Sequence, residues 1–208
     1  MRPISNLLSV VFHPLLLLTY IYFILYTSNH FIFGGLTSLQ FRLLGIYIFI
    51  LTFAMPFISV LLMRALGFVS DIRMPTTQDR IGPYISVGVF YIWTYLNMSD
   101  NIQVPPVFRV FVLGATIALG IAFFVNVFSK ISMHAVGMGG FVAMLLLIHL
   151  YYSTTNISGL LLGGIVVAGA VGTARLLLKA HEANDVFGGY MVGFVCQFLA
   201  FRLLVGLV

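Results

Sequence analysis

Long apolar stretches alternate with short polar segments along the chain. Seven stretches are almost entirely apolar: 9–27, 41–66, 81–97, 105–127, 131–152, 157–178 and 186–206. Each is long enough, or nearly so, to cross about 30 Å of hydrocarbon as an α-helix. The pattern predicts an all-α integral membrane protein, a polytopic bundle of six to seven transmembrane helices in one domain, residues 1–208. Six spans result if the first stretch lies on the membrane instead of crossing it.

Local features refine this prediction. Met55 and Pro56 interrupt the second stretch and predict a kink. Glycines in the fifth and sixth stretches predict the close approach of neighbouring helices: Gly137, Gly139, Gly140, Gly159, Gly163, Gly164, Gly169 and Gly172. The first stretch resembles the core of a signal peptide, but it is too long and no cleavage site closes it. We therefore expect it to be a retained span.

Composition supports the membrane assignment. Hydrophobic residues make up 61% of the chain and charged residues 7%, whereas soluble domains average about 25% charged. So few charges cannot cover a water-facing surface, and the bilayer must surround most of the protein. The net charge is +5, but the basic residues are too few and too scattered for a nucleic-acid surface. The single cysteine, Cys196, cannot form an internal disulfide.

Polar residues between the stretches are concentrated in three segments, 71–80, 129–134 and 175–185. Two predicted spans separate the first segment from the second, and two more separate the second from the third. An even number of crossings returns the chain to the same side of the membrane. We therefore expect all three segments at one membrane face.

The combined residues of these segments are typical of an anion site with two histidines. They are Arg73, Arg80, Lys130, Ser132, His134, Arg175, Lys179, His181 and Asp185. Arginine suits bidentate recognition of phosphate. Ser132 lies near the predicted start of the fifth helix, where free backbone N–H groups favour anions.

His181 and Asp185 are four residues apart and share one face if the backbone is helical there. The carboxylate could then accept the Nδ1 proton and leave Nε2 free as a nucleophile. Single residues also have a purely structural interpretation. An arginine at the end of a span often reaches to the interface, and an isolated histidine such as His13, His30 or His149 is more often interfacial or packed in the core.

One pattern resembles a known family. Arg175, His181 and Asp185, followed by Gly188 and Gly189, resemble the third motif of the type 2 phosphatidic acid phosphatase (PAP2) superfamily. In that motif serine and arginine are followed by five residues, histidine, three residues and aspartate. This is the most specific of the three matches.

The other two motifs of that superfamily also have counterparts in the expected order. Ser132 and His134 resemble the second motif, Pro-Ser-Gly-His. Arg73 and Arg80 resemble the first, in which lysine is followed by six residues and Arg-Pro. The resemblance covers about residues 73–189, and a PAP2-like core would occupy about residues 70–206.

The chain departs from these motifs at five positions. Arg73 replaces lysine, Ile81 replaces proline, Ile131 and Met133 replace the proline and glycine of the second motif, and Ala174 replaces serine. The arginine keeps a charge that binds phosphate. The loss of glycine matters more, because a close backbone approach to phosphate favours it.

The resemblance implies a metal-free lipid-phosphate phosphatase. His181 would be the nucleophile that forms a phosphohistidine, Asp185 would orient it, and His134 would be the general acid. The phosphoryl oxygens would be held by Arg73, Arg80, Ser132, Arg175 and Lys130. The substrate would be a polyprenyl diphosphate, phosphatidylglycerol phosphate, phosphatidate or a lipid A phosphate. No cofactor is implied, and the sequence contains no other enzyme motif, metal-binding motif or phosphate loop.

Two alternatives and the orientation remain open at the sequence level. The degraded second motif also fits an inactive relative that binds or transports a lipid phosphate, and a structural membrane subunit is a third interpretation. Seven basic residues fall on the site side against three opposite, but four of the seven are phosphate candidates. Analogy with bacterial relatives implies an inner-membrane protein with the site on the outer, periplasmic face.

Overall fold

The computed structural model describes residues 2–28, 36–71, 74, 76–99, 104–151 and 157–205, and these ranges contain only helices and connecting segments. The helices are α1 (Arg2–Val11), α2 (Pro14–Ser28), α3 (Ser38–Phe49), α4 (Met55–Ala65), α5 (Thr77–Ser99), α6 (Pro106–Phe128), α7 (Met133–Tyr151), α8 (Ser158–Leu177) and α9 (Ala183–Val205). The expectation of an all-helical protein is confirmed for the described residues.

Five helical segments are long and apolar enough to cross a membrane. They are Ser38–Ala65, which joins α3 to α4, and the helices α6, α7, α8 and α9. A sixth span results if α1 and α2 are taken together as one bent span. The predicted third stretch forms α5, which is as long as α6 but is not among these five. Polar side chains and tyrosines in α5 reduce its hydropathy.

The first predicted span is two helices. The axes of Arg2–Val11 and Pro14–Thr27 are bent by 63°. Pro14 causes the break, because its ring disfavours helical backbone at His13 and its nitrogen cannot donate a helical hydrogen bond. α1 then packs against α8 and buries Ser5 and Ser9. The sequence pattern did not predict this arrangement, because it reads through the break as one apolar run.

The predicted irregularity at Met55-Pro56 takes the form of a π-helical turn. Residues Ile50–Ala54 form this turn between α3 and α4, and the N–H of Met55 bonds to the carbonyl of Ile50. A π-helical turn adds one residue to the helix without ending it. The segment Ser38–Ala65 therefore continues as one candidate span.

The centre of the bundle is the packing of α7 against α9, and α6 contacts both of these helices. The two helices approach closely at glycines. A Cβ atom at Gly193 would overlap the carbonyl oxygen of Val136, and one at Gly139 would overlap the carbonyl oxygen of Tyr190. The predicted close packing is thus confirmed at Gly139. This contact fixes the start of α7 next to the start of α9. Close packing is not found in α8 at Gly159, Gly163 and Gly169, where no atom of another described helix lies within 4 Å of a Cβ position.

Many large apolar side chains lie on the outside of the bundle. Examples are Leu7, Phe68, Trp93, Val166 and Phe187, each at least 58% exposed. A water-soluble protein rarely exposes such an extensive apolar surface. This surface fits a protein that is solvated by lipid.

Candidate functional site

One end of the bundle collects the ends of several helices. A hydrogen bond of 3.2 Å from Arg80 Nη1 to Asn126 Oδ1 joins the start of α5 to the end of α6. A backbone hydrogen bond of 3.2 Å from Ser132 N–H to the Asp185 carbonyl joins the segment before α7 to the start of α9. Residues from all three polar segments of the sequence therefore lie at this end.

The main cavity at this end has a volume of about 270 Å³. Its polar lining includes three histidines and an arginine: His13, His134, His181 and Arg80. The remaining lining is mostly apolar: Pro14, Leu15, Phe57, Val60, Leu61, Met74, Pro83, Tyr84, Val87, Leu119, Ile131 and Met133. An apolar cavity with a few converging polar groups is the usual form of a small-molecule site.

His181 and Asp185 form an ion-pair geometry at the start of α9. His181 Nδ1 lies 3.3 Å from Asp185 Oδ2, and the same oxygen accepts the Glu182 N–H at 3.1 Å. His181 itself lies before the helix, so the pair does not share a helical turn as the sequence suggested. Asp185 instead caps the first turn of α9 with its carboxylate and reaches back to the imidazole. The contact with Asp185 uses Nδ1 of His181 and does not involve its Nε2 atom.

The turn before His181 sets the position of its imidazole. Ala180 N–H bonds to the Arg175 carbonyl at 3.1 Å, and Lys179 N–H bonds to the Leu176 carbonyl at 2.9 Å. Lys179 has a positive φ of 53°. These are the features of a Schellman motif, in which glycine usually occupies the position of Lys179. The motif ends α8 and brings the backbone of Ala180 next to the carbonyl of Arg175.

The surroundings of His181 favour its neutral form. Burial lowers the pKa of His181 below its ordinary value, and the positive charge of Arg175 lowers it further. The hydrogen bond and charge of Asp185 raise the same pKa and only partly offset these effects. At neutral pH the Nε2 lone pair is therefore available, which a nucleophilic histidine requires.

Ser9 of α1 contacts two of the candidate residues. His134 Nε2 lies 2.9 Å from the Ser9 carbonyl, and Arg175 Nη1 donates to the Ser9 hydroxyl at 3.2 Å. A carbonyl oxygen only accepts, so the proton of this bond belongs to Nε2 of His134. Nε of Arg175 is buried and has no hydrogen-bond partner within the described parts of the chain. α1 thus contacts the two residues to which the family resemblance gives roles in phosphate binding and acid catalysis. Of these, His134 lines the main cavity and Arg175 does not.

His13 joins the site through the bend between α1 and α2. Its ring meets the ring of His134 edge-on at a centroid distance of 5.6 Å, and its Nδ1 accepts the Leu15 N–H at 3.4 Å. The sequence interpretation of His13 as an interfacial or core residue missed this placement. The usable signal was the pair His13-Pro14, because a proline ends helical backbone at the preceding residue and leaves that side chain at a bend.

Arg80 is fixed by the connection between α4 and α5. Its Nε donates to the Met74 carbonyl at 2.9 Å. The neighbouring Asp79 is buried and accepts bonds from the hydroxyl and N–H groups of Thr76 and Ser70. These bonds, chiefly from Thr76 and Ser70 N–H, lower the pKa of Asp79 to about 2. Asp79 is therefore ionised at neutral pH and holds this connection together through these bonds, next to Arg80, which lines the main cavity.

Three other sequence candidates have different positions. Ser132 is fully buried, and its hydroxyl accepts the Ala135 N–H at 3.4 Å, so it caps α7 and does not line the main cavity. Lys130 is exposed and lines a second cavity on the other side of His181. Arg73 lies outside the described residues.

This second cavity, called the outer cavity below, has a volume of about 580 Å³. It is lined by Lys130, Leu176, Lys179, His181, Glu182 and Asp185. Because His181 lines both cavities, it stands between a mainly apolar space and a charged one. The arrangement can present one end of an amphipathic molecule to Nε2 of His181.

Comparison with protein-family models, curated proteins and solved structures finds no match to this chain. The chemical interpretation of the site therefore depends on its own residues.

Proposed function

We propose that this chain is a membrane lipid-phosphate phosphatase of the PAP2 type that works through a phosphohistidine without a metal. The observation that carries the proposal is the main cavity, where His181, paired with Asp185, faces His134 and Arg80. A nucleophile oriented by a carboxylate, a second histidine and a guanidinium are the groups that phosphoryl transfer needs.

The proposed reaction has two displacement steps. In the first, Nε2 of His181 attacks phosphorus, the bond from phosphorus to the lipid oxygen breaks, and protonated His134 gives that oxygen a proton. In the second, water attacks phosphorus, the bond to His181 breaks, and His134 takes the proton of the water. Arg80 and Arg175 hold the oxygens on which charge builds, and Lys130 at the outer cavity attracts the anion.

In the proposed reaction, the contact with Ser9 limits how His134 can transfer the proton. As long as the Ser9 carbonyl accepts from Nε2, the exchangeable proton of a doubly protonated ring is the one on Nδ1. Transfer through Nε2 requires α1 to move away. Either route uses one proton per cycle, which the attacking water restores.

Phosphate release in detergent with EDTA present tests the proposal. We expect release from a single-chain or diacyl lipid phosphate, and we expect the His181→Ala variant to lose it by at least three orders of magnitude. The matched control is His149→Ala, a histidine exposed in the last turn of α7. Equal phosphate release from both variants would contradict the assignment of His181 as the nucleophile.

A second candidate function is a non-catalytic binder of lipid phosphates. It is favoured by the Ser9 contacts, because one residue engages both Arg175 and His134. This function predicts saturable lipid binding without turnover. Sustained phosphate release by the wild type, lost in His181→Ala, would exclude it.

We further propose that the protein resides in a bacterial inner membrane with the site on the outer, periplasmic face. Lys179 is exposed at the site end, and the lone Cys196 is buried. In a Cys196→Ser background, Lys179→Cys should react with a membrane-impermeant maleimide added to intact cells whose outer membrane is permeabilised. Labelling only after the inner membrane is lysed would place the site in the cytoplasm instead.

A further inference from the structure

We infer that the interior of this bundle holds one hydrocarbon chain of its ligand, so that the substrate class is a phosphate ester of a single chain. This inference deepens the proposed function and rests on it for the position of the phosphate. The inference is based on the volumes and the lining residues of two adjoining cavities.

The main cavity does not end at the histidines. A deep cavity of about 60 Å³ adjoins it, and the two share Pro14, Leu15, Val87, Leu119 and Met133 in their linings. The deep cavity continues between α2, α6 and α7 as far as Gly140 and Gln197. Together the cavities form a path from the site into the middle of the bundle, called the chamber below.

Polarity is distributed unevenly along the chamber. Within the chamber, Arg80 and the histidines His13, His134 and His181 line only the main cavity, whereas the deep cavity is lined by apolar side chains apart from Tyr91 and Gln197. A phosphate is stabilised at the first end and is strongly disfavoured at the second. A ligand that fits must therefore be charged at one end and apolar along the rest.

The size of the chamber limits the ligand to one chain. A cavity of about 150 Å³ accommodates benzene, and sites for drug-sized ligands begin at about 300 Å³. The main cavity, at about 270 Å³, lies between these sizes, and with the deep cavity of about 60 Å³ the chamber only reaches the lower end of the second range. Two acyl chains side by side need more room than this. The second chain of a diacyl lipid would have to stay outside the protein.

The chamber also has a side that faces the membrane. Phe57 and Leu61 of α4 line the main cavity and are 43% and 38% exposed, so other helices cover this part of the cavity wall incompletely. A chain can pass between lipid and chamber at this wall without crossing water. The phosphate then remains at the end of the bundle, next to His181.

The test compares dodecyl phosphate, butyl phosphate and dioleoyl phosphatidate on the full chain in a nonionic detergent. Binding is measured by native mass spectrometry and turnover by phosphate release. Each buried methylene is worth about a fourfold gain in affinity, so dodecyl phosphate should exceed butyl phosphate by far more than tenfold. Phosphatidate should bind no more tightly than dodecyl phosphate.

Variants of α6 locate the effect. Ala118→Leu and Ala115→Leu place extra side-chain atoms in the deep cavity, which both residues line. Each substitution should reduce the affinity for dodecyl phosphate about tenfold, which corresponds to the burial of roughly two methylenes. The affinity for butyl phosphate should not change. Gly120→Leu is the control, because Gly120 is exposed on the same helix with no atom near its Cβ position. Binding is compared only among variants that are folded, as shown by a thermal unfolding transition like that of the wild type.

The outcomes separate this inference from the phosphatase proposal. Equal binding of dodecyl phosphate by the wild type and both leucine variants overturns the chamber, even if phosphate is released. Tighter binding of phosphatidate than of dodecyl phosphate also overturns it. Chain-dependent binding that Ala118→Leu reduces, without any phosphate release, supports the chamber and contradicts the phosphatase.

Discussion

The two cavities that meet at His181 differ in the side chains behind the shared imidazole. The main cavity has apolar walls with Arg80, His13 and His134, and the outer cavity is lined by Lys130, Lys179, Glu182 and Asp185. A charge in an apolar site interacts with its partners more strongly than one in water. The comparison teaches that residues of the same charge at this end of the bundle should contribute very differently to function.

The largest effect is expected at Asp185, which lines the outer cavity but acts through His181. Asp185→Asn replaces the carboxylate that orients Nδ1 by a neutral amide, which can turn an N–H group toward the imidazole and favour the wrong tautomer, so phosphate release should fall by about a hundredfold to ten-thousandfold. Asp185 raises the pKa of His181, so its loss should lower that pKa further. We expect the acidic limb of kcat/KM in the wild type below the ordinary histidine pKa of about 6.5, and in this variant at a still lower pH. A limb that moves to higher pH would contradict the assigned pair.

Next in size is the contrast between Arg80 and Lys179, one from each cavity. Arg80→Gln should reduce kcat/KM by about a hundredfold, because it removes a guanidinium next to the apolar walls. Lys179→Gln removes an exposed charge and should change kcat/KM by less than about threefold. Steady-state kinetics of the two variants measure this difference in kcat/KM. Similar losses in both would mean that phosphate binds in the outer cavity.

A smaller effect is expected at Ser9. Ser9→Ala removes the hydroxyl that accepts from Arg175 and frees this donor for phosphate. A hydrogen bond to a charged group is worth about 1.5–3 kcal/mol, and a part of this should appear as a KM lower by about threefold to tenfold. Ser5→Ala, one turn earlier on the same buried face, is the control. An increase in KM would show that Ser9 helps to hold the ligand.

The smallest effect is structural and concerns Lys179→Gly. The positive φ of Lys179 costs a non-glycine residue about 1 kcal/mol, so glycine should raise the free energy of unfolding by a similar amount. Thermal or denaturant unfolding of the solubilised protein measures this, with Lys179→Gln as the control that keeps the strain. Catalysis should change as little as in Lys179→Gln. No gain in stability would imply that the lysine side chain compensates for its backbone.

The sequence predicted the convergence of polar segments by counting crossings, and this count included α5, which is not among the five candidate spans. Arg80, His134 and His181 nevertheless line one cavity. The sequence did not predict the part played by α1. The contacts of Ser9 with His134 and Arg175 join residues more than a hundred positions apart, and no local pattern encodes them. Similarly, the sequence did not predict that Ser132 caps α7, because a serine before a helix is equally compatible with an anion site and with a helix cap.

The π-helical turn at Ile50–Ala54 has a consequence for the register of the span that contains it. Buried Phe41, Ile48 and Thr52 follow one stripe, and Val60 stays in line with it only because the turn contains one additional residue. Removing one residue there would rotate everything after it by about 100° around the helix axis. The wall formed by Phe57, Val60 and Leu61 would then turn away from the main cavity. An apparent defect in this helix is thus the element that gives the cavity its membrane-facing wall.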